Sequence, residues 1–150
     1  MPNLLVIIYC LVDSGFWKVS DARAWADCTI SKINVPKFWL INFSLKQTPD
    51  QLLQVIRDAL REFSVVLPEI TGELLVGFSI LRFERGEISE QNLQLVISEI
   101  IDAYDEAELS FSGFEECYGE EYDACKEKAL HALRFVEEVD IEAFATLVMD

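Results

Sequence analysis

The chain has 150 residues, the size of one domain and enough to bury a core without metal or disulfide staples. It carries 27 acids against 12 bases, a net charge of −15, which works against nucleic acid and anionic membranes as partners because phosphate groups are held by clustered lysine and arginine. Apolar residues make up 51% and there is no low-complexity tract, so one folded domain over residues 1–150 is expected rather than disorder.

The first element is the apolar run from Leu4 to Val12. It is too short to span a bilayer, which takes about 20 residues. No basic residue precedes it and no small-residue cleavage site follows, so it reads as a buried core segment rather than a leader, and the absence of targeting points to the cytoplasm. Periodicity cannot separate strand from buried helix here. Asn3 as an N-cap and Gly15 as a stop favour helix. From Ser20, a capping residue, to Ile33, the side chains Ala22, Trp25, Ala26, Thr29 and Ile33 form a helical stripe, and Pro36 marks the break. Pro36 can open another helix through Leu45, and the apolar stretch Phe38–Phe43 suggests a central position.

Thr48-Pro49-Asp50-Gln51 is the clearest helix start in the chain: threonine caps, proline fits the first helical position, and Gln51 completes a capping box. The inward face runs through Leu52, Ile56, Ala59 and Phe63, and Pro68 lies beyond the end. Glu69–Arg85 reads as a helix stopped by Gly86, although Val76–Ile80 leans toward strand. Ser89 caps a helix whose stripe is Leu93, Val96, Ile97, Ile100, Ile101 and Tyr104. A loop is expected from Asp105 to Gly113, with a second capping box at Ser112–Glu115 and a short turn ended by Gly119. A long helix is expected from Glu120 to Glu138, with Tyr122, Cys125, Ala129, Ala132, Leu133 and Val136 facing one side, and Asp140 would cap a last one ending near Val148. The expected fold is all-α, a compact array of seven or eight short helices, faintly resembling a solenoid of helix pairs.

Charge is distributed unevenly. Residues 1–98 carry 11 acids and 9 bases, whereas residues 99–150 carry 16 acids and 3 bases. Carboxylates crowd at Glu115, Glu116, Glu120, Glu121 and Asp123, interleaved with Phe114, Tyr118 and Tyr122. Such a segment steers a cationic partner, and its aromatics can anchor it. The alternative is a solvated acidic face whose aromatics fill the core beneath.

Catalytic signals are sparse. His131 is the only histidine, with Glu127 one turn earlier, a spacing that does not match the E-x-x-H of di-iron bundles. Cys117, Cys125 and His131 do not have the spacing of a zinc site, and Cys10 and Cys28 sit in apolar or amphipathic runs where a thiol packs as a small hydrophobe. No calcium loop, phosphate loop, dinucleotide fingerprint or nucleophile elbow occurs. No catalytic residue, metal or cofactor is therefore assigned, and the chain is not expected to be an enzyme.

In Trp25-Ala26-Asp27, Pro36-Lys37-Phe38-Trp39-Leu40 and Phe114-Glu115-Glu116-Cys117-Tyr118-Gly119, together with size and helix order, the chain resembles the small acidic helical immunity proteins of bacterial polymorphic and contact-dependent toxin systems. That resemblance implies a non-catalytic antidote that binds and blocks a toxin domain. The expected function is an acidic protein-binding module. Its expected contacts to a basic protein are Glu115, Glu116, Tyr118, Glu120, Glu121 and Asp123. The alternatives are a structural module that self-associates through its apolar N-terminal segment and, behind it, a carboxylate-based enzyme.

Overall fold

The computed structural model describes residues 3–68, 70–103 and 120–138. Every regular element among them is a helix: α1 (Leu4–Asp13), α2 (Val19–Ser31), α3 (Phe38–Ser44), α4 (Pro49–Glu62), α5 (Ile70–Glu84), α6 (Glu90–Ala103) and α7 (Glu120–Glu138). The all-α expectation holds. The strand alternative for Val76–Ile80 falls, because that stretch is the middle of α5. The helix foreseen near 140–148 and the turn near Gly119 lie outside the described residues.

α1 is apolar on every side, and every residue from Leu4 to Val12 is buried. A helix of that kind is stable only when neighbours surround it; here α4, α5 and α7 all pack against it. Its ends are closed by local chemistry. Asn3 Oδ1 accepts the Leu5 N–H at 2.8 Å. At the other end Gly15 takes φ +75°, a conformation open to glycine, and Arg82 Nη1 donates to the Ser14 carbonyl at 2.8 Å. Arg85 lies over the Phe16 ring, 4.2 Å from its centroid, which fastens the α1–α2 connection to α5.

α2 begins one residue before the Ser20 cap that was foreseen. Lys18 is its N-cap, and the Asp21 carboxylate accepts the Lys18 N–H at 2.9 Å. α2 and α3 form a side layer joined by aromatic contacts, Trp17 to Trp25 at 5.6 Å and Trp25 to Phe43 at 6.4 Å between ring centroids. Arg23 Nε donates to the Ser44 carbonyl at the end of α3.

The expectation that α3 is central is overturned. It packs on α2 and α4 alone among its principal neighbours, burying Trp39, Leu40, Phe43 and Ser44 while its other face meets solvent. α1 and α5 take the centre instead, because neither has a continuous polar face to turn outward.

α4 starts as expected: Thr48 Oγ1 accepts the Gln51 N–H at 3.2 Å, with Pro49 in the first turn. The Gln51 side chain reaches back to the Gln47 N–H at 3.0 Å, one residue before the N-cap that a strict capping box would use. Leu52, Leu53, Val55, Ile56, Ala59 and Leu60 are buried.

α5 is buried along Thr71–Leu81 except Glu73, so it is enclosed between α1, α6 and α7 rather than laid on a surface. The neighbour order is not that of a helix-pair solenoid, in which each unit touches only the next; α1 contacts elements far along the chain.

Candidate functional site

α7 carries the part of the acidic segment that falls within the described residues. Its inward side is Tyr122, Cys125, Ala129, Ala132 and Val136, all buried against the core. These fall at helical spacing, so the amphipathic pattern of 120–138 fixes which side faces solvent. α7 runs antiparallel to α5. Glu84, near the end of α5, meets Tyr122 and Lys126, and Glu73, near its start, meets Lys128. Between them, Gly77 lies directly under the α7 backbone at Cys125.

The two lysines of α7 both engage α5. Lys126 Nζ is 2.8 Å from a Glu84 carboxylate oxygen, and Lys128 pairs with Glu73. The Lys126 ammonium is pushed above its ordinary value, first by the hydrogen bond it donates to Glu84 and also by the charges of Glu84, Asp123 and Glu127. Glu121, Asp123 and Glu127 are exposed, as are Glu137 and Glu138 further along. Arg134 is the one cation of α7 among the described residues that pairs with no acid; its Nε turns back to the Leu130 carbonyl at 3.4 Å. The free surface of α7 is thus dominated by carboxylates.

Of the expected contact residues, Glu121 and Asp123 are exposed on α7. Glu120 opens that helix, and its side chain lies outside the description. Glu115, Glu116 and Tyr118 also fall outside the described residues. Glu127, expected only as a neighbour of His131, joins the exposed acids. The signal was available: 123 and 127 are one helical turn apart, opposite the apolar stripe.

His131 is exposed while Cys125 is buried, so the two face different sides of α7 and do not converge. Among the described residues, no three side chains of His, Cys, Asp or Glu come together as a metal site would require. Burial pushes the Cys125 thiol up to about 11, with the nearby Glu73 charge adding to it. Burial also pushes the Cys10 thiol up, and its S–H reaches the Thr71 carbonyl at 3.8 Å.

Thiolate, not thiol, is the nucleophile. In the native protein, therefore, iodoacetamide at neutral pH should alkylate the exposed Cys28 and spare Cys10 and Cys125, which should react only after unfolding. Peptide mapping by mass spectrometry checks this. Because both thiols are raised in the folded state, their contribution to stability is present below the ordinary thiol value of 9.0 and is lost as pH rises from there past about 11.

No helix among the described residues is long and apolar enough to cross a membrane. Comparison of the chain with family models, curated proteins and solved structures gives no match.

Proposed function

We propose that this chain is a non-catalytic acidic binding module that docks a basic protein through the outer face of α7 and the acidic segment preceding it. The observation that carries the reading is the division of labour on α7: Lys126 and Lys128 pair with α5, leaving Glu121, Asp123 and Glu127 exposed. Asp123 and Glu127 share one side of α7 a helical turn apart, and like charges held that close destabilise the compact state, so the concentration of acids in one third of the chain fits a partner that neutralises them. The resemblance to immunity proteins of toxin systems makes that partner a toxin domain, with Glu115, Glu116, Tyr118 and Glu120 completing the contact. Self-association through the N-terminal apolar segment loses its support, because α1 is wholly enclosed.

The test is co-purification of this chain with a basic protein, followed by binding kinetics of the purified pair. Charge reversal by Glu121→Lys, Asp123→Lys and Glu127→Lys together should slow association about tenfold or more at low salt, with little change in thermal stability, since all three side chains are exposed. The difference should shrink as salt is raised. An association rate untouched by triple reversal would remove this surface from the reading.

A further inference from the structure

The outer face of α3 is the most unusual surface outside α7. Phe38, Ile41 and Leu45 fall at i, i+3 and i+7, on one side of the helix and its C-cap, and Val35 precedes them. Val35, Phe38 and Leu45 are 77%, 79% and 64% exposed, and Ile41 is 39% exposed. Lys32 and Lys37 border this stripe at one end and Lys46 at the other. None of the three lysines is paired with an acid. Residues 28–49 contain these three lysines and no acid, in a chain with 27 of them.

Three features of this face select its occupant. A second copy of the chain would bring lysines against lysines at each end of the stripe, which opposes self-pairing. Four apolar side chains are far short of the roughly 800 Å² per partner that a stable protein interface buries. Val35, Phe38 and Leu45 also stand out from the surface, most of each side chain being exposed. A lipid interface accepts all three features: apolar side chains sink below the headgroups, and the flanking lysines reach the phosphates.

The net charge led to the expectation of no membrane partner, but the net charge is not what this face presents. Residues 1–50 carry five bases and four acids. α7 is joined to α3 through α1 and α4. Neighbouring helix axes lie about 8–10 Å apart, so its carboxylates are beyond the roughly 8 Å screening length at physiological salt.

We infer that the α3 face is a peripheral docking surface for an anionic lipid bilayer, on which the protein lies without spanning it. The inference is independent of the basic-partner reading. The measurement is co-sedimentation with vesicles of phosphatidylcholine alone and of an equimolar mixture with phosphatidylglycerol. The wild type should bind the mixed vesicles and leave the neutral ones. Phe38→Ser with Leu45→Ser should weaken partitioning about tenfold, and Lys32→Gln, Lys37→Gln and Lys46→Gln together should do the same. Both variants should melt as the wild type does.

The triple reversal on α7 should leave vesicle binding intact, which separates failure of this inference from failure of the basic-partner reading. Equal binding to both vesicle types, wild-type binding by the variants, or no binding at all would overturn it. So would dimerisation that Phe38→Ser with Leu45→Ser abolishes, which would give the face to a second copy.

Discussion

Gly77→Ala is expected to lower the stability of the fold by about 3 kcal/mol, and the melting temperature by roughly 6–12 °C for a chain of this size. A Cβ at position 77 would stand 2.2 Å from the Cys125 carbonyl oxygen and 2.7 Å from the Ala129 Cβ. The first of these is backbone, so no rotamer change relieves it. α7 must move away from α5, and that displacement strains the pairs Glu84–Lys126 and Glu73–Lys128 at both ends of the crossing. Alanine is the better helix former by about 1 kcal/mol, which offsets part of the loss but not a backbone clash.

Gly86→Ala provides the comparison. Gly86 has φ +75° with nothing within 4 Å of a new Cβ, so only backbone strain of about 1 kcal/mol applies. Calorimetry of both variants decides the matter. If Gly86→Ala proved as harmful as Gly77→Ala, the close approach of α5 and α7 would not be the cause.

Ile7→Asp should abolish the folded state. Ile7 is fully buried at the middle of α1, with α4, α5 and α7 packed around that helix. An isolated carboxylate there would lose its hydration with no partner, a cost of several kcal/mol against a total stability of about 5–15. Ile7→Ala removes the same contacts without the charge and should cost about 2–5 kcal/mol. Leu95→Asp, at an exposed position on α6, should stay within about 0.5 kcal/mol of the wild type. Urea titration followed by circular dichroism separates the three. A cooperative transition of normal midpoint for Ile7→Asp would contradict the enclosure of α1.

The local signals were legible at three helix starts, but not at α2, where the Asp21 carboxylate and not Ser20 closes the end. Asn3 and Thr48 cap as their positions suggest, and Ser89 Oγ accepts the Asn92 N–H at 3.1 Å. Periodicity also placed the inward face of α7. The stretch Val76–Ile80 was ambiguous because residues buried on every side have no period to read. Glycine is a poor residue for the interior of a helix or a strand; the use of Gly77 appears only where α7 crosses it.

The position of α3 was misread because apolar content measures what can be buried, not what the other helices leave room for. Phe38 and Trp39 are adjacent and similarly apolar, yet one is exposed and the other buried. In the candidate site, exposure of Glu121 and Asp123 followed from helical geometry. The pairing of Lys126 with Glu84 joins residues 42 apart in sequence and left no local trace.

The enclosure of α1 has a consequence for biosynthesis. Its partners lie at α4, α5 and α7, the last of which continues to Glu138. A ribosome adding about 5–20 residues per second leaves roughly 6–25 s between completion of Val12 and arrival of Val136. Throughout that interval nine greasy side chains lack the complete shell that later covers them. The nascent polypeptide therefore offers chaperones a binding segment from the start, and stalled or truncated products ending before α7 should be sticky, insoluble and quickly degraded.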